Sequence, residues 1–342
     1  MIKICFIGPE SPHLDRWINY FKNIKDFKVI YIKYPKYKNI FQYLWDILRV
    51  CFKYLKIKKE VNIFNIHYLG NFAFFLSLFS NKNVIFTAWG SDILIAPKNK
   101  FRRSMLKQTL KKAEIITSDT EKLLHILNEK YNISQDKLKL VRFGTNTNKW
   151  KKLNCSADSK FGITVVSLRN LEPIYDINTL ILAANEVVKE NKNVGFYIYG
   201  DGSERQNLEK QIIDLKLQKN VFLLGRYTED QIIKKLANTD LYVSTSKSDG
   251  GLAASTAEAM ACEVIPIVTD FGDNNYWVTK NNGFLFKIGD YKRLSEHIIN
   301  YSNNKQKYKL YGKKSREKIV NELSYIKEMQ KLEKLFKEVK NE

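Results

Sequence analysis

Proline and glycine are scarce in this chain, at 6 and 15 of 342 residues. That excludes collagen-like and low-complexity architectures, and a hydrophobic content of 44% places the chain among globular proteins. Cysteine is scarcer still. Cys5, Cys51, Cys155 and Cys262 stand far apart with no CxxC spacing, which argues against a zinc site and against a disulfide framework. The histidines His13, His67, His125 and His297 are equally scattered, so no metal centre is expected. Long apolar runs are missing too. The best candidate, Phe72–Phe79, falls far short of the ~18–20 residues that cross a bilayer. Met1–Gly8 lacks the longer apolar core and small-residue cleavage site of a secretory signal, and reads as a first strand. The expected location is cytoplasmic.

Negative charge is short in one half only. Residues 1–150 carry 27 Lys and Arg against 11 Asp and Glu, residues 151–300 carry 18 against 19, and residues 301–342 carry 12 against 6. The asymmetry suggests that the first half faces something anionic. The compositional alternative is a general abundance of Lys, Ile, Asn and Tyr. No helix-turn-helix, RNP-like or zinc motif accompanies the charge, so no specific nucleic-acid partner is expected. The first strand is not followed by GxGxxG, which disfavours a dinucleotide-dependent dehydrogenase.

What is present is strand–helix alternation. Strands are expected at Lys3–Ile7, Lys28–Ile32, Val61–Ile66, Asn83–Thr87, Glu114–Thr117 and Lys139–Phe143, and again at Ile163–Ser167, Gly195–Tyr199, Val221–Leu224, Leu241–Ser244, Val264–Val268 and Gly283–Phe286. Amphipathic stretches such as Thr179–Lys189, Arg205–Leu215, Glu229–Leu236 and Ala254–Ala261 lie between them. Such alternation implies parallel sheets with helices on both faces, an α/β class. It restarts near residue 160 after a polar segment without period. The expected organisation is a first domain at 1–150, a linker at 151–160, a second domain at 161–304 and a helical tail at 305–342, with a crossing back to the first domain as an open alternative for the tail. Two doubly wound domains facing a cleft would bind ligands at the carboxyl ends of their strands.

The segment Ser244–Cys262 carries the sharpest signal. A strand ends in small polar residues, Asp249, Gly250 and Gly251 follow, and then a helix begins. Adjacent glycines permit close approach of a ligand. A helix N-terminus offers unpaired N–H groups and a positive dipole end to a phosphate. Glu258 in that helix suits a ribose diol, or is an ordinary acidic residue in the first turns. The string Glu258–Ala261 followed by Val264–Val268 resembles the C-terminal signature of family 4 glycosyltransferases, which have the GT-B fold. Their two acidic residues stand eight positions apart, whereas Asp249 and Glu258 are nine apart and Gly250 holds the expected place. Further segments resemble the family in order. They are Gly8–His13 with Arg16 and Trp17, His67 and Tyr68, Trp89–Asp92 with Trp in place of His, Gly144–Thr147 with Trp150, Ser167–Arg169, Tyr199–Gly202 and Leu224–Tyr227.

The resemblance implies a metal-independent transferase that moves a sugar from a UDP- or GDP-sugar with retention of configuration. In that family an Arg and a Lys five positions later commonly clamp the donor diphosphate. Arg169 matches; Ile174 and Tyr175 occupy the place of the Lys, so Lys247 or the helix N-terminus would substitute. The donor-binding residues expected by resemblance are Arg169, Gly202, Arg226, Lys247, Gly250, Gly251, Ser255 and Glu258. The catalytic candidates are Asp249 near the donor sugar and His13 and Asp92 near the acceptor. Asp92 has an equal alternative as an N-cap or Asx turn after Gly90 and Ser91. A structural role is the alternative for His13 and His67, and His125 and His297 are expected to be solvated.

The stretch Phe41–Lys59 places apolar residues at 41, 44, 45, 48, 51, 52 and 55, which is helical spacing. It reads as a core-facing helix of the first domain. The alternative is a helix on an anionic membrane, since Arg49, Lys53, Lys56, Lys58 and Lys59 accompany the stripe. The acceptor implied is a glycan or a lipid-linked glycan of bacterial surface polysaccharide, such as lipopolysaccharide or capsule. Two readings compete: a GT-B sugar-nucleotide epimerase and a basic non-enzymatic nucleic-acid binder.

Overall fold

The computed structural model describes residues 1–36, 39–80, 83–94, 100–153, 160–249 and 251–341. It divides into two compact units, 1–143 with 325–342, and 144–324. Six of the residues expected as linker, 154–159, lie outside the described set.

The first unit holds one wholly parallel sheet. Its strands are β1 (Ile2–Gly8), β2 (Phe27–Lys33), β3 (Ile63–His67), β4 (Val84–Ala88), β5 (Ile115–Ser118) and β6 (Leu138–Leu140), in the order β2-β1-β3-β4-β5-β6. The second unit holds β7 (Ile163–Ser167), β8 (Val194–Tyr199), β9 (Val221–Gly225), β10 (Leu241–Ser244), β11 (Ile265–Thr269) and β12 (Phe284–Phe286), also parallel, in the order β12-β11-β10-β7-β8-β9. Every strand falls on a stretch expected from the sequence. The largest shift is in β6, which stops at Leu140 rather than Phe143. Central strands covered by helices on both faces must be apolar throughout, and β7 and β11 are buried at every position. In both sheets the strand order reverses beside the first strand of the unit. These switch points lie between β1 and β3 and between β7 and β10, where Ile7 pairs with Ile66 and Val166 with Tyr242.

Local chemistry sets the helix starts. Ser11 accepts the N–H of Leu14 before the helix Pro12–Lys22, and Thr228 and Gln231 form a capping box before Glu229–Ala237. The single tail expected at 305–342 is instead divided between the units. The helix Tyr311–Glu322 buries Ile319 against Met260 and Ala261 of the second unit. The helix Tyr325–Asn341 buries Met329, Leu332 and Phe336 in the same core as Ile4, Phe6 and Trp17 of the first. Each such side chain contributes about 1.5–3 kcal/mol by leaving water. The second unit also begins earlier than expected: Trp150 is buried in its core.

The helix Ile40–Ile57 overturns the core-facing reading of its stripe. Of the residues expected to be inside, only Cys51 is; Phe41, Trp45, Leu48 and Phe52 are 82%, 68%, 63% and 69% exposed. The face turned to the core is Ile47, Val50, Cys51 and Tyr54, which meets Ile7, Phe64 and Ile66. That set has helical spacing too. It buries one of the largest fully buried side chains, Tyr54, against Phe64, with ring centroids 4.4 Å apart.

Candidate functional site

In the second unit the polar side chains converge on the β7/β10 switch point, the place where open α/β sheets bind ligands. Arg169 follows the end of β7, and Asp249 follows the end of β10. Arg169 Nη2 stands 2.6 Å from Asp249 Oδ1, and both side chains are only 11% exposed. The guanidinium also lies over the Tyr175 ring, 4.4 Å from its centroid. Stacking and pairing together fix a planar cation in one orientation. Three buried polar atoms at this point have no hydrogen-bond partner among the described residues: Arg169 Nε and the hydroxyls of Ser167 and Ser244, the last residues of β7 and β10. Buried polar groups are normally satisfied, so Arg169 Nε at this point calls for a polar partner. Ser167 shares its face with Val165 and Ser244 with Tyr242, which pack in different cores, so the two serines lie on opposite faces of the sheet.

The helix Ala254–Ala261 follows, and its N-cap, Ala253, supplies no side-chain cap. Its first N–H groups therefore keep their donors available. Glu258 sits partly buried in the second turn, and its charge helps burial push the Tyr227 phenol up to about 12. Lys247 Nζ is 3.3 Å from Asp176 Oδ1, and the Lys247 N–H donates to the Ile174 carbonyl at 2.9 Å. The β10 loop thus sets a lysine beside the position where a lysine is missing from the sequence pattern. Asp176 was not singled out in the sequence; Ser167, Ser244 and Tyr175 fall within segments read there, but with no site role assigned to them.

Other expected residues have different surroundings. Gly200, at φ +121°, and Gly202 pack on the 169–171 backbone. A Cβ at Gly200 would meet the Arg169 carbonyl at 2.6 Å, and one at Gly202 would strike that of Leu171. Gly202 is therefore a packing glycine that sets the Arg169 loop. Ser255 is buried with its hydroxyl 2.8 Å from the Tyr242 hydroxyl. Arg226 is exposed after β9, and Gly251 is partly buried before the helix. Gly250 lies outside the described residues.

The sequence signature of the family described as glycosyl transferases group 1 matches residues 148–318, half of the chain. The chain belongs to this family. Over 170 residues it is 32% identical to the poly(ribitol-phosphate) alpha-N-acetylglucosaminyltransferase of Staphylococcus aureus, covering 49% of this chain and 34% of that protein. It is 27% identical over 151 residues to the poly(glycerol-phosphate) alpha-glucosyltransferase of Bacillus subtilis, covering 44% and 22%. The chain thus matches about a third or less of the length of these relatives. A Rickettsia africae glycosyltransferase superposes with a TM-score of 0.80 at 17% identity, covering 99% of this chain and 98% of that one. Anabaena HepE in complex with UDP superposes with a TM-score of 0.80 at 16% identity, covering 98% and 100%. At such identities the likeness shows the fold, which is GT-B.

In this group 1 chain the first unit offers a different site. A cavity of about 570 Å³ lies at the carboxyl ends of β1, β2 and β3, with walls that include Tyr34, Tyr43, Tyr68, Phe72 and Arg102. Tyr34 stacks on Phe72 with centroids 4.6 Å apart, and its buried hydroxyl has no partner among the described residues. Neither His13 nor Asp92 lines this cavity. Asp92 is fully buried; its oxygens accept the backbone N–H groups of Leu69 at 2.8 Å and Trp89 at 3.0 and 3.2 Å. Burial raises its pKa, and these bonds oppose the rise. Asp92 locks the loops after β3 and β4, which corrects its expected place on an acceptor. His13 lies half-buried against Phe143, centroids 4.6 Å apart, and burial followed by Arg16 lowers its pKa.

The remaining histidines divide. His67 is fully buried, with Nε2 2.9 Å from Asn65 Oδ1 and Nδ1 accepting from Trp89 Nε1 at 3.3 Å; burial lowers its pKa to about 3. His125 is exposed beside Glu129, as expected. His297 was expected in solvent, but it stacks on Phe284 and bonds the Leu285 carbonyl, because its helix turns that side to β12. No helix among the described residues is long and apolar enough to cross a membrane.

Proposed function

We propose that this chain is a retaining glycosyltransferase of the family 4 type, moving a sugar from a UDP- or GDP-sugar to a glycan or lipid-linked acceptor in bacterial surface polysaccharide synthesis. The observation that carries the reading is the Arg169 guanidinium at the β7/β10 switch point, fixed by Asp249 and Tyr175, with its buried Nε unpartnered among the described residues. Breaking a sugar–phosphate bond leaves extra negative charge on the diphosphate. A fixed guanidinium in a half-buried site stabilises that charge without reorganising. The uncapped N-terminus at Ala254 adds N–H donors and a dipole. Lys247, beside Ile174, supplies the second cation in place of the missing lysine. Glu258 takes the ribose diol. Asp249 holds Arg169 until the diphosphate arrives, and then turns to the donor sugar across the Gly251 loop. No step in this scheme calls on a metal ion.

The acceptor belongs to the first unit, in the aromatic cavity with Tyr34, Tyr68 and Phe72. Flat rings suit the apolar faces of sugars, and Arg102 suits a phosphate on the acceptor. The names of the two bacterial relatives support a phosphate-bearing polymer acceptor, and the UDP held by Anabaena HepE supports a uridine donor.

Thermal stability with added nucleotides, in the presence of EDTA, tests the donor half. A nucleotide at 100 times its dissociation constant stabilises the fold by about 2.7 kcal/mol. A melting shift with UDP or GDP, and none with AMP or NAD, is expected. A shift that needs a divalent metal, or none with either diphosphate, would defeat the reading. Donor consumed without acceptor to give an isomeric nucleotide sugar would favour the epimerase.

A further inference from the structure

The helix Ile40–Ile57 has three faces. At 3.6 residues per turn, Ile40, Phe41, Leu44, Trp45, Leu48, Phe52 and Leu55 fall within an arc of about 140°. All seven are exposed, from 44% at Leu55 to 82% at Phe41. Arg49, Lys53 and Lys56 occupy the adjoining arc and are exposed as well. The third face is the buried one already described, and it includes Asp46, the helix's single acidic residue. The outward surface of this helix is therefore apolar with a purely basic border. A contiguous apolar stripe of this kind marks an interaction surface.

We propose that Ile40–Ile57 is an in-plane membrane anchor that docks the first unit on an anionic bilayer. Its apolar face enters the boundary of the acyl chains, and Arg49, Lys53 and Lys56 lie against lipid phosphates. The helix is not apolar enough to span a membrane. Charge decides against a second copy of this chain as the occupant. An antiparallel two-fold contact through this stripe would bring two identical basic borders together. The anchor also bears on the substrate. Tyr43, on the same helix, lines the aromatic cavity and bonds Asn71 at 2.6 Å, so whatever lies in that cavity lies beside the bilayer surface. On the transferase reading given above, this makes the acceptor lipid-borne and its phosphate headgroup the neighbour of Arg102.

Co-sedimentation with vesicles tests the anchor without any substrate. The whole chain is expected to pellet with vesicles of equal parts phosphatidylglycerol and phosphatidylcholine, and weakly with phosphatidylcholine alone. Phe41→Ser with Trp45→Ser and Phe52→Ser should lower the partition coefficient at least tenfold on both compositions. Arg49→Glu with Lys53→Glu and Lys56→Glu should abolish the preference for phosphatidylglycerol. These side chains are outside the core, so both variants should keep the wild-type melting temperature and its shift with UDP or GDP. Failure of the wild type to pellet at moderate salt would overturn the anchor, as would a dimer in solution that the serine variant dissociates. A chain that pellets but ignores every nucleotide would keep the anchor and lose the transferase reading.

Discussion

The switch points of the two units share one backbone plan and differ in chemistry. In the second unit the loops after β7 and β10 bring a cation and an anion to 2.6 Å, stack the cation on Tyr175 and leave two serine hydroxyls unpaired. In the first, the ends of β1 and β3 carry a neutral His67 and a cavity walled largely by rings; Asp92 nearby is consumed by backbone N–H groups, and Glu10 on the cavity wall is paired with Lys33. The fold chooses where a ligand sits, and the loops choose what it is. One site is charged and preorganised, suited to a diphosphate. The other is aromatic, suited to a sugar ring.

Removing the cation should break this contrast most. Arg169→Ala is expected to lower turnover of the nucleotide sugar by about 10²–10³-fold, the usual cost of losing one preorganised donor at a developing anion. Arg169→Lys keeps charge but not the planar stack and should fall between. The check is initial rate at saturating donor, with the melting temperature as a control for folding. Glu258→Ala should act mainly on donor affinity. Equal activity in Arg169→Ala and wild type would mean that the second switch point is not where the leaving group sits.

The same contrast explains what the sequence made legible. Strand–helix alternation located all twelve strands, because a strand buried on both faces has to be a continuous apolar run. Arg169 and Glu258 were singled out through short motifs, and the structure sets Arg169 at the β7/β10 switch point and Glu258 in the helix that follows β10. The aromatic cavity was not legible. Tyr34, Tyr43 and Phe72 come from three separate segments, and no spacing relates them. Periodicity also misplaced the face of Ile40–Ile57, since a helix with two apolar stripes does not say which one the sheet will accept. Ser255 and Gly202 show a third limit: the motif drew attention to their positions, but not to the Tyr242 bond or the close approach to the Leu171 carbonyl that they also make.

Acid should strike the two units unequally. His67 is folded as a neutral ring with its pKa lowered to about 3, whereas unfolded it titrates near 6.5. Below the unfolded value the unfolded chain binds a proton that the folded chain does not, so stability is lost as the pH falls from about 6.5 toward 3. The loss is about 1.4 kcal/mol per pH unit within that window. His13 and His297, also lowered by burial, add in the same direction. His67→Gln should flatten the slope of urea-unfolding free energy against pH for the first unit's transition. An unchanged slope would show that His67 is accessible to protons in the folded chain.

The smallest effect expected is at Lys247, and it is the finest test of how the second site is built. Its side chain is 44% exposed and already paired with Asp176, so its contribution to an incoming diphosphate is screened and shared. Lys247→Ala should weaken UDP or GDP binding by about 2- to 5-fold, in keeping with ~0.2–1 kcal/mol for an exposed ion pair. The loss should shrink as salt is raised. On the proposed reading, in which Lys247 substitutes for the diphosphate-clamping lysine, binding of the nucleoside monophosphate should change less. Titration calorimetry with both nucleotides separates these outcomes. An equal loss for monophosphate and diphosphate would mean that Lys247 acts only by holding Asp176 at the start of its helix, and that Arg169 and the N-terminus at Ala254 carry the diphosphate without it.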